Sequence, residues 1–346
     1  MIQSLIFKKI IDNDFKYKFK INIQKEGEFI MNKKAALIAG IAIIGLVGTF
    51  ALTGKKEAPA TEVAGEEVIT ITHKLGETEV NQNPQRVVVF DYPALDTINA
   101  LGVESVVGVP GKGKLQEGLK KYEDEKYVNV GTLKEPDLEA VKSANPDLII
   151  IGGRQADYYD QFTEIAPTIS KQKDNTNYVE SMLNNINQLG EIFGVEEKAA
   201  EEVAKVEAKL AEVKTMVEEK GAKALTLMVS EGNLSVYGGQ SRFALLYEGL
   251  GFKNVDDTID DSTHGQTVTF EYIAEQNPEY LVVLVKDAIS GGESSAANVL
   301  DNDIVKSTDA YKNDKIIYLT PAVWYTNDGG LNSIYTMIAD VENGLK

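Results

Sequence analysis

The strongest constraint on this chain is an internal repeat. Asp137 to Arg154 (DLEAVKSANPDLIIIGGR) recurs without a gap from Thr269 to Lys286 (TFEYIAEQNPEYLVVLVK), so that Glu139 falls on Glu271, Asn145 on Asn277, Pro146 on Pro278 and Arg154 on Lys286. Each copy reads as an amphipathic helix, an Asn-Pro break, a near-continuous apolar strand suited to a buried parallel sheet, and a cation where the strand stops. Two such units predict two equivalent α/β lobes. Ligands of open α/β sheets bind beyond the carboxyl ends of the strands, so lobes that face each other would aim both cations into a shared cleft. That geometry suits an anionic ligand.

Length and charge narrow the options. With 346 residues, 43% of them hydrophobic, the chain can bury two substantial cores. Its net charge of −18 argues against nucleic acid or an anionic membrane surface as a partner of the whole molecule. Against this background only Arg86, Arg154 and Arg242 are arginines, every other cation being lysine. An arginine at the end of a buried strand supplies a planar, weakly hydrated, bidentate fork that lysine cannot. The absence of cysteine removes disulfides, iron–sulfur clusters, thiolate zinc sites and thiol nucleophiles. Two histidines, His73 and His264, make a dedicated multi-histidine metal site improbable.

The N-terminal region reads as an address. Lys33 and Lys34 precede an uncharged apolar run from Ala35 to Thr53, the pattern of an export signal or a short membrane anchor, so residues 31–54 are expected to direct the chain outward. Residues 55–67 read as a polar linker. Residues 1–30 precede a complete signal beginning at Met31, and they are expected to be an upstream extension ahead of the true translation start. Bacterial lipoproteins carry a Leu-x-Gly/Ala-Cys cleavage box here. Leu52-Thr53-Gly54 matches its first three positions, but Lys55 stands where the lipidated cysteine would be, so lipid anchoring does not carry over.

Beyond the linker, Val68 to Val80 reads as a hairpin turning at Leu75-Gly76, followed by a strand at 86–91, a helix at 92–101 and a strand at 105–109. This is βαβ grammar. The expected lobes are 68–176 and 222–346, with a long helical pattern over 177–221, broken around Gly194, as the connector. Gly108 to Gly113 (GVPGKG) lacks the spacing of a phosphate loop and reads as a surface turn. No nucleophile elbow or His-Glu-x-x-His helix is present, so catalysis has no visible vehicle. In the second lobe, Gly238-Gly239-Gln240-Ser241-Arg242 places an arginine in the first turn of an expected helix, 241–250, where amides and guanidinium could together meet an anion; a local carboxylate is the competing partner. His264 lies in a polar loop (DDSTHGQT). Tyr325, in Val323-Trp324-Tyr325-Thr326, is placed at the cleft edge as a stacking or packing residue.

Four stretches carry a specific resemblance: THKLGETEVNQNPQRVVVFDYPALDTINALGV, IIIGGRQADYYDQ, SVYGGQSRFALLYEGLGF and WYTNDGGLNSI. Together they resemble the siderophore-binding proteins of iron ABC importers, in particular the ferric catecholate branch, over nearly all of 68–346. The resemblance implies an α/β fold of two Rossmann-like lobes joined by one long interdomain helix, with the ligand cleft between them. It implies a non-enzymatic, monomeric protein with no intrinsic cofactor, which carries an Fe(III)–siderophore at the outer face of the cytoplasmic membrane and delivers it to ABC permease subunits. Arg154 and Arg242 match two of three site arginines, and Lys286 stands where the third is usually Arg. His264 and Tyr325 match the pair that completes the iron shell when a siderophore offers only four donors, and Fe(III) is a hard ion to which phenolate oxygen and imidazole are suited. Trp324 is expected beside the ligand. Glu139 and Glu271 match the carboxylates that dock onto permease arginines. The rival readings are a haem or corrin (cobalamin-type) binder of the same architecture and an extracellular two-lobed α/β enzyme.

Overall fold

The computed structural model describes residues 67–262, 264–290 and 300–346, all within one compact unit, Ala64–Lys346. The expected upstream extension, the signal or anchor segment and nearly all of the linker lie outside the described residues. Among the described residues, no helix is long and apolar enough to cross a membrane.

The chain opens with the hairpin β1 (Val68–His73) and β2 (Gly76–Asn81), paired antiparallel from Val68↔Asn81 to His73↔Gly76. The first lobe follows as β3 (Val87–Val89), α1 (Tyr92–Leu101), β4 (Val106–Val109), β5 (Val128–Asn129), α2 (Leu138–Ser143), β6 (Leu148–Ile151), α3 (Tyr159–Thr163) and β7 (Thr168–Ser170). Its five strands run parallel in the order β5-β4-β3-β6-β7. Helix α1 starts where Asp91 accepts the Ala94 amide and Pro93 occupies the first turn, and it stops at Gly102 in the left-handed conformation.

Two helices connect the lobes. Helix α4 (Tyr178–Ile192) ends at Gly194, whose φ of 63° reverses the chain, and α5 (Glu196–Lys220) continues for 25 residues, roughly 37 Å. The helical pattern expected over 177–221, with its break around Gly194, is thus two helices that meet at that glycine. At their junction a Cβ on Gly190 would overlap Ala199, so glycine permits the close approach. The long element is α5, and its buried Ala199, Val203, Val206, Leu210, Val213 and Val217 follow alternating steps of four and three that make one apolar stripe.

The second lobe contains β8 (Lys223–Ser230), β9 (Asn233–Val236), a π-helical turn (Leu245–Gly249), β10 (Lys253–Asn254), β11 (Gln266–Val268), α6 (Phe270–Gln276), β12 (Tyr280–Val285), α7 (Asp303–Lys306), α8 (Asp309–Lys312), β13 (Ile316–Tyr318), α9 (Pro321–Thr326) and α10 (Leu331–Gly344). Its sheet order is β11-β9-β8-β12-β13, with β10 beside the start of β8. Here β9 and β11 run antiparallel.

Strand alternation builds three cores. Val87, Val89, Leu148 and Ile150 of the first sheet and Val282 and Leu284 of the second point into one apolar core shared with α1, α4, α5 and α10. Val88, Ile149 and Ile151 face a separate core on the outer side of the first sheet, and Leu281, Val283 and Val285 face its counterpart outside the second. The two lobes are thus joined through a continuous hydrophobic layer.

Candidate functional site

The repeat proves to be structural as well as textual. In both copies the Asn-Pro break is a left-handed asparagine, with φ 46° at Asn145 and 40° at Asn277. The following strands, β6 and β12, each occupy the fourth position of their sheet and pair in parallel with the first strand of their lobe. Arg154 and Lys286 then lie in short 3-10 segments directly after those strands, at the carboxyl edge, as the repeat predicts.

The cations from both lobes meet at Tyr325. Arg154, exposed, donates from Nη2 to the Tyr325 carbonyl at 3.2 Å, and Arg242 donates from Nη2 to the same oxygen at 3.0 Å. The Arg242 guanidinium also lies 4.1 Å from the centre of the Tyr325 ring, and Lys286 Nζ lies 5.5 Å from it. Burial pushes the Tyr325 phenol up, but Arg242, Lys286 and Arg154 together outweigh it and hold the phenol below its usual value. Arg242 forms no ion pair among the described residues, so the competing carboxylate partner is not there, and its buried Nε lacks a hydrogen-bond partner. A half-buried guanidinium with spare donors is suited to receive an anion.

Several expectations need correction. Trp324 is fully buried, its indole N–H donating to Asp340 at 2.9 Å and its ring 6.3 Å from Phe243. The segment is helix α9, where consecutive residues point about 100° apart, so Trp324 faces the core while Tyr325 faces the cations. Trp324 does not line the cleft. The helix expected over 241–250 is a turn followed by the π-helical turn, with Leu250 N–H bonded to the Leu245 carbonyl. The glycine turn before Arg242 serves a different neighbour from the one expected. Gly238 N–H donates to the Asp260 carbonyl and Gln240 N–H to the Asp261 carboxylate, and a Cβ on Gly238 would overlap Asp261. Those amides are occupied, and Arg242 enters the site through its side chain alone.

His264 is exposed in its loop, and its backbone carbonyl accepts from the Tyr237 hydroxyl at 3.0 Å. Glu139 and Glu271 are exposed in the first turns of α2 and α6. Gly111 and Gly113 are left-handed turn residues, and Lys112 between them donates to the carbonyls of Asp124 and Tyr127.

Sequence reasoning passed over a second charged group at the same edge of the first sheet. Asp91 follows β3, and Lys171 and Lys173 follow β7. Together with Thr97, Asn185 and Gly329 they line a small cavity. Burial pushes the Asp91 carboxyl up to about 6, against the pull of Lys173, and burial brings Lys171 down to about 7, against Asp91 and Glu191. The rule that found Arg154, a cation after an apolar strand, misses Lys171 because β7 reads Thr-Ile-Ser, short and mostly polar. Buried Gln155 was also missed. It accepts the Gly152 N–H and donates to the Leu133 carbonyl, fixing the turn that carries Arg154.

Comparison with known proteins fits this architecture. The family model described as periplasmic binding protein matches residues 87–323. The chain belongs to that family. It is 39% identical to the petrobactin-binding protein YclQ of Bacillus subtilis, over 91% of this chain and 99% of that protein. It is 30% identical to the ferric-anguibactin-binding protein FatB of Vibrio anguillarum, over 81% of this chain and 88% of that protein. Among solved structures, that of YclQ superposes with a TM-score of 0.78 at 42% identity, covering 81% of this chain and 99% of that one. The periplasmic catecholate-siderophore binding protein VctP of Vibrio cholerae gives 0.77 at 37% identity, covering 80% and 100%. The family membership and the paired α/β lobes expected from the repeat agree.

Proposed function

We propose that this protein captures ferric catecholate siderophores outside the cytoplasmic membrane and delivers them to an ABC permease. The observation that carries this reading is the convergence of Arg154 from one lobe with Arg242 and Lys286 from the other on a single half-buried tyrosine. In a chain of net charge −18, an anion is repelled except where local cations override the field, and these three make such a place. A ferric tris-catecholate is trianionic and aromatic. Its charge suits the cations, and its rings suit the stacking environment that Arg242 already gives Tyr325. Relatives named for petrobactin, anguibactin and catecholate siderophores support the same class of ligand.

His264 and Tyr325 are proposed as the two donors that complete the iron shell of a tetradentate complex. A phenol held below its usual pKa gives up its proton to a metal more readily. Glu139 and Glu271, equivalent and exposed, are proposed to meet permease arginines, one per lobe. The role is binding and release without turnover, performed by a monomer. Export through the segment at 31–54 and retention at the outer membrane face complete the reading.

The test is a titration of tryptophan emission. Trp324 is the single tryptophan and adjoins Tyr325, so ligand arrival at the cleft should quench it without background from other indoles. A panel of ferric catecholates, ferric hydroxamates, haem and cobalamin should give saturable quenching with the catecholates. A response confined to hydroxamates, haem or cobalamin would overturn the assignment.

A further inference from the structure

Helix α9, which presents Tyr325, is held at both ends by carboxylates, and the two ends are held by different lobes. At its start, Asp340 of α10 accepts from the Thr320 N–H at 2.7 Å, the Thr320 hydroxyl at 3.0 Å and the Trp324 indole at 2.9 Å. At its end, Asp328 receives Lys173 from the first lobe. Lys173 Nζ lies 3.3 Å from the Asp328 carboxylate and donates to the Asp328 carbonyl at 2.7 Å, with the two side chains only 12% and 21% exposed. The Tyr178 hydroxyl donates to the same carboxylate at 3.5 Å. Gly329 packs so closely on Lys173 that a Cβ would lie 3.0 Å from its Cδ. The next turn is bound to the first lobe as well, since Asp96 accepts the amides of Asn332 and Ser333 at 2.9 Å each and Thr97 accepts that of Leu331.

We propose that Lys173 and Asp328 are positioning residues for Tyr325: their pair, reaching across from the first lobe, pins the end of α9 so that the tyrosine ring stays against Arg242 and Lys286 and its carbonyl stays within reach of Arg154. An ion pair this enclosed adds little net stability, because desolvation of both charges offsets their attraction, whereas it does fix geometry. Only Thr326 and Asn327 separate Tyr325 from Asp328, so a release at Asp328 is felt at Tyr325 directly. The pair also explains a feature that ligand contact alone does not, namely a lysine and an aspartate withdrawn from water at the edge of a site where Arg154 is exposed.

This inference rests on the reading of Tyr325 as the residue that faces the ligand, but its test needs no ligand and so fails or succeeds separately. The probe is the ring resonance of Tyr325 at one fixed pH, followed by NMR on protein labelled with 13C in the tyrosine rings and assigned by its absence in Tyr325→Phe. The Arg242 guanidinium and the Lys286 ammonium lie over this ring, so its resonance reads how close those cations are. Two variants break the pair while changing charge in opposite senses, Lys173→Met and Asp328→Asn. If the pair positions Tyr325, both move the resonance in the same direction, towards that of a solvated tyrosine, and Lys173→Arg restores it. If the pair acts only through its charges, Lys173→Met and Asp328→Asn move it in opposite directions. Shifts of opposite sign, or no shift in either variant with the near-ultraviolet circular dichroism unchanged, overturn the proposal. Asp328→Asn keeps the size of the side chain, so it remains informative if Lys173→Met does not fold.

Discussion

The two lobes carry the same helix, break, strand and cation, yet they treat the site differently. The first lobe is all parallel and offers Arg154 as an exposed guanidinium at the end of β6. The second is mixed, and it brings Lys286 by the same rule and Arg242 by another, from a turn that follows the antiparallel strand β9. Shared architecture thus accounts for one cation per lobe, at the carboxyl edge where α/β sheets bind ligands. The third cation and the tyrosine it stacks on belong to what the second lobe added. The repeat thus accounts for one cation in each lobe, whereas two of the three cations and the tyrosine they surround belong to the second.

If the equivalence of the lobes extends to the permease, its loss should be the largest effect of all. Glu139→Ala combined with Glu271→Ala should abolish ferric siderophore uptake by cells while leaving the affinity of the purified protein unchanged. Persistent uptake would confine the symmetry to folding. Next in size is a test of the asymmetry. Tyr325→Phe and His264→Ala should each shift the visible charge-transfer band of a tetradentate ferric bis-catecholate complex and weaken its binding by roughly tenfold or more. Both variants should bind a hexadentate complex nearly as well as wild type, since its iron shell is already filled. Equal losses for both ligands would make the two residues packing groups.

A smaller effect concerns the first lobe alone. Lys171 is 2% exposed, and burial lowers its pKa to about 7 from 10.5. The folded state therefore holds this proton less tightly than the unfolded chain, and the resulting destabilisation, full below pH 7, is relieved as pH rises towards 10.5. Urea denaturation of wild type and Lys171→Met should show the mutant's relative advantage shrinking from pH 7 to pH 10. A pH-independent difference would mean that Lys171 stays protonated in the folded state, its pKa unshifted. The smallest effect separates the two left-handed asparagines. Asn145→Gly should change stability by no more than about 0.5 kcal/mol, because glycine adopts positive φ freely. Asn277→Gly should cost about 1 to 2 kcal/mol, because Asn277 also exchanges two hydrogen bonds with Asp309, at 3.0 and 2.8 Å. Equal costs would remove this distinction between the copies.

The sequence made the lobes, the repeat and the cations at 154, 242 and 286 readable, because period, strand punctuation and the scarcity of arginine are local signals. Facing was harder to read. Whether residues 321–326 continue a strand or open a helix decides which of Trp324 and Tyr325 meets the cleft, and Pro321 in the first turn of α9 was the available cue. The glycines before Arg242 were legible as a close approach, but Asp261 is the group that approaches them, and it lies far along the chain. The Lys173–Asp328 pair links residues 155 positions apart, and its two halves carry no shared local pattern.

If both lobes meet one anionic ligand, equilibrium titration of a ferric catecholate into wild type, Arg154→Ala, Arg242→Ala and Lys286→Arg will show it. Each alanine variant should lose about 1.5 to 3 kcal/mol, roughly tenfold or more in affinity. The loss should be greater for half-buried Arg242 than for exposed Arg154. Lys286→Arg should bind equally or more tightly, since it supplies the planar fork in place of a point charge. Unchanged affinity in both alanine variants would contradict the claim outright, and a loss in Arg242→Ala alone would show that the second lobe binds the ligand by itself.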